Sequence, residues 1–320
     1  MTKVLDGKAL AQEIRSEVAD GVQQLLAAGG RPPGLAAVLV GENPASQVYV
    51  RTKARASEKA GLVSRTVTPP ATIAEEELLD IIDQLNDDDE IDGILVQLPL
   101  PDSLDESRIL ARVSPAKDVD GFHPVSVGHL WLDEPGFVPA TPSGIMEMLL
   151  RSGLTLKGMN AVIVGRSTIV GKPMAALLLR QHCTVTICHS RTRDLPGVCS
   201  EADLLIAAIG RPAMFGPEHV REGAVVIDVG INRITEREEV ERLFPGNADR
   251  ISRFEEKGSV LVGDVDYTRV APRTAAITPV PGGVGPLTVA MLLVNTLTAA
   301  RQRQGLAARD RSPAGRGLLT

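Results

Sequence analysis

The order of apolar and polar positions in the first 110 residues predicts helices that alternate with short strands. Asp6, followed by apolar residues at helical spacing, predicts a capped helix over residues 7–27. Two apolar runs predict buried strands at 35–41 and 91–101, and helical patterns cover 45–60 and 74–86. Strands that alternate with helices are typical of an α/β layer on a parallel sheet.

A second series of the same kind follows residues 115–142, a segment rich in Pro, Gly and Asp that predicts loops and a domain hinge. The charged segment 235–258 interrupts this second series and predicts a surface excursion. The predicted strands lie at 160–165, 184–188, 203–208, 224–229 and 260–263. The predicted helices cover 143–152, 171–181 and a final stretch that ends near residue 300.

Length and composition narrow the class of protein. With 320 residues, the chain is long enough for roughly two domains at about 150 residues each. The net charge of −6 and the 2% aromatic content argue against a basic nucleic-acid binder or a base-stacking surface. Three cysteines without a CxxC pair suit a reducing compartment. We expect a cytoplasmic protein without a membrane span. Prolines and glycines interrupt the charge-free run 274–300, and its helix-compatible part, 287–300, is too short to cross a bilayer.

A glycine-containing turn joins the strand 160–165 to the helix 171–181, as in dinucleotide-binding folds. The spacing of Gly165 and Gly171 matches the usual fingerprint poorly, so a purely structural turn stays open. An NTPase phosphate loop is excluded, because the loop has one residue too many and Pro173 replaces the magnesium-binding hydroxyl.

The residues after the next strand indicate which dinucleotide would fit. NAD enzymes usually place a carboxylate there to hold the ribose 2′-hydroxyl, whereas this chain has His189, Ser190 and Arg191. Together with Arg166 in the glycine turn, these groups favour a 2′-phosphate and therefore NADP. Surface arginines without any ligand are the alternative.

Polar residues at the strand ends of the first series form a second candidate site. Tyr49 and Lys53 share one helical face just after the strand 35–41, and Gln97 lies in the otherwise apolar strand 91–101. Asp118 and Asp120 lie in a KDVDGF turn, which by itself is consistent with a simple Asp-Gly turn. An exposed Tyr–Lys pair is also commonly structural. The five histidines lack metal-ligand spacing, and we predict no metal site.

Taken together, the motifs of the chain resemble the bifunctional methylenetetrahydrofolate dehydrogenase/methenyltetrahydrofolate cyclohydrolase family. They occur in order along nearly the whole chain: SQVYVRTKARASEKAG (46–61), DGILVQLPLP (92–101), PAKDVDGFHP (115–124), TPSG (141–144), GRSTIVGKPM (165–174), DVGIN (228–232) and PVPGGVGP (279–286). Three departures stand out, namely Ala140 where many relatives have cysteine, Ser126 where asparagine is frequent, and the long segment 235–258.

The resemblance implies roles for individual residues. Lys53 is then the principal cyclohydrolase residue, Gln97 orients it, Tyr49 packs on the folate rings and Asp120 binds the pterin donors. These four form the predicted catalytic set. The predicted substrate site adds the neighbours of Gln97 and the glycine-rich loop, namely Val96, Leu98, Pro281, Gly282, Gly283, Val284 and Gly285. The predicted NADP contacts are Gly165, Arg166, Ser167, Ser190, Arg191 and Ile231.

The resemblance also implies a two-domain α/β architecture with a cleft between the domains. Residues 1–142 with 276–300 are expected to form the folate domain, 143–275 a Rossmann-type NADP domain, and 301–320 a mobile tail. The expected enzyme is a homodimer that oxidises 5,10-methylenetetrahydrofolate with NADP and then hydrolyses the product to 10-formyltetrahydrofolate. Its expected ligands are small molecules, with neither nucleic acid nor membrane. Another NADP-dependent two-domain dehydrogenase, or a non-catalytic NADP-sensing module, stays open as an alternative.

Overall fold

A computed structural model describes residues 2–306 of the chain. The strands are β1 Lys3–Val4, β2 Gly34–Val38, β3 Val63–Val67, β4 Gly93–Val96, β5 Asn160–Val164, β6 Thr184–Cys188, β7 Leu204–Ala207, β8 Val225–Asp228, β9 Asn232–Ile234, β10 Val260–Val262 and β11 Ala276–Ile277. The helices are α1 Gly7–Ala27, α2 Pro44–Lys59, α3 Glu75–Asp87, α4 Glu106–Arg112, α5 Pro124–Trp131, α6 Ala140–Arg151, α7 Gly171–Arg180, α8 Leu195–Ser200, α9 Arg237–Leu243, α10 Ala248–Lys257, α11 Tyr267–Val270 and α12 Val284–Arg303.

The chain divides into two compact units, so the predicted two-domain α/β class is confirmed. The six-stranded unit comprises residues 2–9 and 145–287, and its parallel sheet has the order β1-β11-β8-β7-β5-β6. The order reverses at β5, which lies between β6 and β7. In a doubly wound sheet, such a reversal opens a ligand crevice at the carboxyl ends of the strands.

The three-stranded unit comprises residues 10–144 and 288–306 and contains the parallel sheet β3-β2-β4. Helices α3 and α4 cover one face of this sheet with an aliphatic core that includes Leu78, Ile82 and Ile109. Helices α1 and α12 share a second cluster around Val22 and Leu293. Because all three strands are parallel, the residues that follow β2 and β4 emerge at the same edge of the sheet.

The two units do not coincide with the predicted domains at residues 2–9, 143–144 and 276–287. Strand β1 pairs with β11, and β11 pairs with β8, so both terminal segments join the six-stranded sheet. Two-residue strands carry too little periodic pattern to be predicted from sequence. As an assignment of folate and NADP domains, the predicted division stays a prediction.

The segment 115–142 is more regular than the predicted loops. It contains helix α5, which begins at Pro124, and α6 starts at Ala140 instead of residue 143. The ring nitrogen Nδ1 of His123 accepts a hydrogen bond from the backbone N–H of Val125 at 3.0 Å and caps α5. Pro124 occupies the first helical position, where the missing N–H is harmless. The cap of α5 is a histidine instead of the usual Ser, Thr, Asp or Asn, so the start of the helix was not predicted.

The charged segment 235–258 also forms helices, α9 and α10, between the antiparallel strands β9 and β10. The predicted strand 260–263 therefore belongs to a two-stranded antiparallel sheet and not to the parallel series. Val240, Leu243 and Phe244 are buried against these two strands, while most of the charged side chains are exposed. The excursion therefore has an apolar core of its own.

Helix α12 is longer than the predicted 287–300 and, by length and composition alone, could span a membrane. Its apolar 18-residue window is 67% buried inside the protein, as in a core helix. The helix continues to Arg303, so the first residues of the predicted tail 301–320 are helical. The remainder of that tail, from residue 307, lies outside the described residues.

Candidate active site

Lys53 and Gln97 meet at the carboxyl edge of the three-stranded sheet. Helix α2 follows β2 and presents Lys53, whereas Gln97 comes directly after β4. The Lys53 Nζ donates a hydrogen bond to Gln97 Oε1 at 3.0 Å, and Gln97 Nε2 donates to the carbonyl oxygen of Leu98 at 2.8 Å. Because the amide is fixed at both ends, its oxygen points at the lysine. Lys53 is only 8% exposed and does not face open solvent.

The other predicted folate residues of this unit surround that pair. Tyr49 lies one helical turn before Lys53 on α2 and is 44% exposed, which leaves its ring available to a ligand. Val96 is buried in β4, and Leu98 is partly buried. The Lys53 amine and the exposed Tyr49 ring therefore come from the same face of α2.

The charges of Lys53 and Asp120 are coupled. Burial lowers the pKa of the Lys53 amine, and the negative charge of Asp120 partly opposes this change. Burial raises the pKa of Asp120 to about 6, against the attraction of Lys53. The Asp120 carboxyl is partly accessible yet densely surrounded by protein atoms. A lysine whose pKa is lowered holds a larger neutral fraction near pH 7, as proton transfer requires.

Asp118, which the sequence left without a role, holds the turn that carries Asp120. Its buried carboxylate accepts hydrogen bonds from the backbone N–H groups of Phe122 and His123, and from the Ser126 hydroxyl at 2.6 Å. Ser126, one of the departures from the family pattern, therefore supplies a hydroxyl donor to this turn. The structure assigns Asp118 a structural role and leaves Asp120 as the carboxylate that a ligand can reach.

Asn295 on α12 fixes the same turn from the other side. Its Nδ2 group donates to the carbonyl oxygens of Val119 at 2.8 Å and Val138 at 3.0 Å, and the side chain is 1% exposed. Lys117, just before the turn, is fully buried and donates to two carbonyls at the end of α3. Asn295 is a single amide within the apolar run of α12. This sequence signal was available, but Asn295 was not among the predicted site residues.

In the six-stranded unit, the predicted nucleotide turn lies between β5 and α7. Gly165 has φ +130°, and a Cβ atom there would lie 2.2 Å from the Ala208 carbonyl oxygen, so only glycine fits. The Ser167 hydroxyl oxygen accepts from the N–H groups of Val170 at 3.1 Å and Gly171 at 3.3 Å. Arg166 and Ser167 are exposed at the start of a ten-residue helix. A narrow turn with exposed cationic and hydroxyl groups fits a dinucleotide phosphate.

The next strand end also fits the predicted cofactor. Ser190 and Arg191 are exposed after β6, in a turn that is closed by two hydrogen bonds between His189 and Thr192. The His189 ring accepts from the Arg191 backbone N–H at 3.1 Å, which leaves the guanidinium at the surface. No carboxylate occupies the usual 2′-hydroxyl position in this turn, and the donors suit a 2′-phosphate.

Ile231 and the glycine-rich loop are neighbours within the six-stranded unit. A Cβ atom on Gly285 would lie 3.4 Å from Ile231 Cδ1, and Ile231 is 47% exposed. The predicted folate residues Pro281, Gly282, Gly283, Val284 and Gly285 thus belong to the unit that carries the predicted NADP residues. They do not belong to the unit of Lys53.

Two buried aspartates, neither of them predicted as a site residue, connect the loops around Ile231. Asp264 accepts from three consecutive N–H groups, those of residues 209–211, and from Asn232 Nδ2. Asp228 accepts from the N–H groups of Gly230, Asp264 and Val265, while burial raises its pKa to about 7. Both carboxylates connect loops at the carboxyl edge of the sheet and so fix where Ile231 stands.

The remaining chemistry-bearing residues have structural surroundings. Among residues 2–306, no group of three or more His, Cys, Asp or Glu side chains is arranged to hold a metal ion. His219 is buried with its ring edge-on to Phe215 at 5.3 Å. The three cysteines are buried free thiols, and burial raises the pKa of Cys199 to about 12.

Comparison with known families covers most of the chain. Residues 5–120 match the profile described as tetrahydrofolate dehydrogenase/cyclohydrolase, catalytic domain, and residues 139–304 match the NAD(P)-binding domain of the same family. The chain is 55% identical to "Bifunctional protein FolD" of Koribacter versatilis, over 95% of this chain and 99% of that protein.

Solved structures of enzymes from this family are similar to the fold of this chain. The bifunctional FolD methylenetetrahydrofolate dehydrogenase/cyclohydrolase of Campylobacter jejuni has a TM-score of 0.86 and 44% identity, covering 95% of this chain and all of that one. The methylenetetrahydrofolate dehydrogenase-cyclohydrolase of Trypanosoma brucei, solved with NADP and an inhibitor, has a TM-score of 0.84 and 37% identity, with 94% and 98% coverage.

Proposed function

Because this chain belongs to the tetrahydrofolate dehydrogenase/cyclohydrolase family, we propose that it is a bifunctional enzyme of one-carbon folate metabolism. It oxidises 5,10-methylenetetrahydrofolate with NADP to the 5,10-methenyl compound, and it hydrolyses that product to 10-formyltetrahydrofolate. The family resemblance found in the motifs is thereby confirmed. The observation that carries the cyclohydrolase activity is the nearly buried Lys53 amine, which is held by Gln97 at 3.0 Å.

The dehydrogenase step needs positioning more than acid–base chemistry. When bound, NADP would supply the acceptor for the hydride that leaves the methylene carbon of the folate. The product cation is stabilised by its two flanking nitrogens, so no side chain has to remove a proton from carbon. Arg166, Ser167, Ser190 and Arg191 would hold the phosphates. The proximity of Ile231 and Gly285 supports a nicotinamide site beside the folate loop.

In the cyclohydrolase step, Lys53 moves protons between water and the folate nitrogen. A water oxygen bonds to the methenyl carbon while the neutral amine takes one water proton. The bond from that carbon to N5 then breaks, the formyl group stays on N10, and the ammonium returns its proton to N5. The second water proton leaves to solvent. Gln97 orients the amine through its fixed oxygen, and the lowered pKa of Lys53 supports this role.

Substrate recognition is assigned to the surrounding residues. The ionised carboxylate of Asp120 accepts hydrogen bonds from the pterin amino and ring N–H donors, and the Tyr49 ring packs on the folate. Val96 and Leu98 complete the part of the site that this unit supplies. The loop from Pro281 to Gly285 stays a predicted folate contact. The tight turn around Asp118 supports this assignment, because it fixes Asp120 while the Asp120 carboxyl remains partly accessible.

Assembly and location are proposals of the same kind. We propose a homodimer in the cytoplasm, whose ligands are small molecules. Strand β6 supports self-association, because it is one of the two edge strands of the six-stranded sheet and carries Ile187 at 37% exposure. The net charge of −6 argues against nucleic acid as a partner. Light scattering coupled to size exclusion measures the mass of the particle, and a monomer would contradict the dimer.

A single optical assay tests both activities. Methenyltetrahydrofolate absorbance should appear when the purified protein receives methylenetetrahydrofolate and NADP. The absorbance of added methenyltetrahydrofolate should decay with the protein alone, faster than in buffer. Nicotinamide reduction with another small hydroxy acid, and none with the folate, would instead indicate a different dehydrogenase. NADP binding without turnover of any folate would indicate a sensing module.

A further inference from the structure

Arg250 of α10, in the excursion between β9 and β10, contacts the glycine-rich loop. The Arg250 Nη2 donates to the carbonyl oxygen of Val280 at 2.8 Å, and Nη1 donates to the carbonyl oxygen of Leu261 at 3.0 Å. The guanidinium also lies over the Phe244 ring, 4.6 Å from its centroid. Arg250 is thus fixed from three directions inside the six-stranded unit, unlike Arg253, the exposed arginine of the same helix.

The loop that receives this hydrogen bond is held at its other end by the start of α1. The backbone N–H of Lys8 donates to the carbonyl oxygen of Gly282 at 3.0 Å. A Cβ atom at Gly7 would lie 1.7 Å from the Gly283 carbonyl oxygen, so the two backbones are in direct contact. The two hydrogen bonds hold the carbonyl groups of Val280 and Gly282. This part of the loop leads on to Gly285, which is close to Ile231. A glycine-rich loop has many accessible conformations, and each attachment removes some of them.

We propose that Arg250 is a positioning residue that holds the Val280–Gly285 loop in the conformation that receives the reduced folate. This inference rests on the proposed function, which places the loop in the folate pocket. The excursion 235–258 is then more than a surface insertion, because it supports the substrate site from outside. Arg250 is not part of the proton-transfer chemistry assigned to Lys53. Its loss therefore weakens folate binding, while proton transfer at Lys53 continues.

Kinetics of both reactions test the proposal with Arg250→Ala and Arg250→Lys. Losing a hydrogen bond from a charged donor should raise the KM for folate about tenfold or more in both reactions. The cyclohydrolase kcat should stay within about twofold, because a binding loss alone leaves the bound chemistry intact. Lysine can reach one carbonyl, so Arg250→Lys should recover part of the affinity, and added guanidinium should restore Arg250→Ala. Unchanged KM values would overturn the proposal.

Two control variants separate positioning from general stability. Arg253→Ala removes an exposed arginine from the same helix and should leave both KM values unchanged. Val240→Ala weakens the buried core of the excursion and keeps the guanidinium. If Val240→Ala, at an equal loss of Tm, raised KM as much as Arg250→Ala, the effect would be one of stability and the proposal would be wrong.

Hydrogen exchange tests the loop without any reference to activity. The amides of Gly282 to Gly285 should exchange faster in Arg250→Ala than in Arg253→Ala and the wild type. Equal exchange would overturn the positioning role, even if the wild-type enzyme performed both reactions. A wild-type protein without either reaction would instead contradict the proposed function, and the exchange result would still show whether Arg250 holds the loop.

Discussion

Replacing Lys53 by methionine should separate the two activities of the enzyme. Methionine keeps an unbranched apolar stem of similar length and removes the amine that Gln97 holds. Hydride transfer requires no proton from the protein, so the dehydrogenase kcat should stay within several-fold of the wild type. The hydrolysis requires proton transfer to and from oxygen and nitrogen, and its rate should collapse.

The size of the loss follows from the chemistry of the site. General acid–base groups contribute roughly 10²- to 10⁴-fold, or about 3–5 kcal/mol in the activation free energy. Removing the single hydrogen bond from Gln97 should cost less, about 10- to 100-fold for a bond to a charged donor. Gln97 acts only through the amine. The double variant Lys53→Met/Gln97→Leu should therefore hydrolyse methenyltetrahydrofolate no more slowly than Lys53→Met alone.

Stability should change in the opposite direction to activity. Burial lowers the pKa of Lys53, so the folded state binds a proton less readily than the unfolded state between the lowered value and 10.5. Wild-type stability therefore rises with pH through that window, and the buried ammonium is costly below it. Lys53→Met should lack this rise and unfold at an equal or higher Tm than the wild type near neutral pH.

The assay follows methenyltetrahydrofolate absorbance, with NADP for the first reaction and without NADP for the second. Lys59→Met, an exposed lysine on the same helix, is the matched control and should retain both activities. Lys53→Met that keeps more than about a tenth of the cyclohydrolase rate would refute the assigned role, since even the weakest general acid–base effect is larger. Equal losses of both activities would point to a collapsed pocket.

Three further predictions concern substrate, cofactor and fold. Folate affinity should fall as the pH drops below about 6, because Asp120 with its raised pKa then becomes protonated, and calorimetry with Asp120→Asn should show no such transition. Arg191→Glu should raise the KM for NADP about 10- to 100-fold with little change for NAD, which steady-state kinetics with the two cofactors would show. Asn295→Leu should cost about 2–5 kcal/mol in urea unfolding, since it leaves two buried carbonyls without donors, whereas exposed Gln302→Leu should cost little.

Many of the regular elements were predictable from the sequence alone, because their patterns are local. The apolar spacing predicted α1 with the observed limits 7–27, and the strand 184–188 was placed to the residue. The four-residue spacing of Tyr49 and Lys53 was enough to place both on one face of α2. The motifs were specific enough to indicate the family, and the absence of a carboxylate after β6 was enough to favour NADP.

Which distant residues meet depends on the packing of the whole chain. Lys53 and Gln97 are 44 positions apart, and Asn295 reaches Val119 across 176 positions. The pairing of β1 with β11 joins the start of the chain to residues 276–277. A local pattern shows that a polar group needs a partner, but the partner is chosen by how the sheets and helices pack. Arg250 illustrates the reason. Its charge predicted a solvated position, whereas its guanidinium packs on the Phe244 ring and donates hydrogen bonds to two backbone carbonyl oxygens.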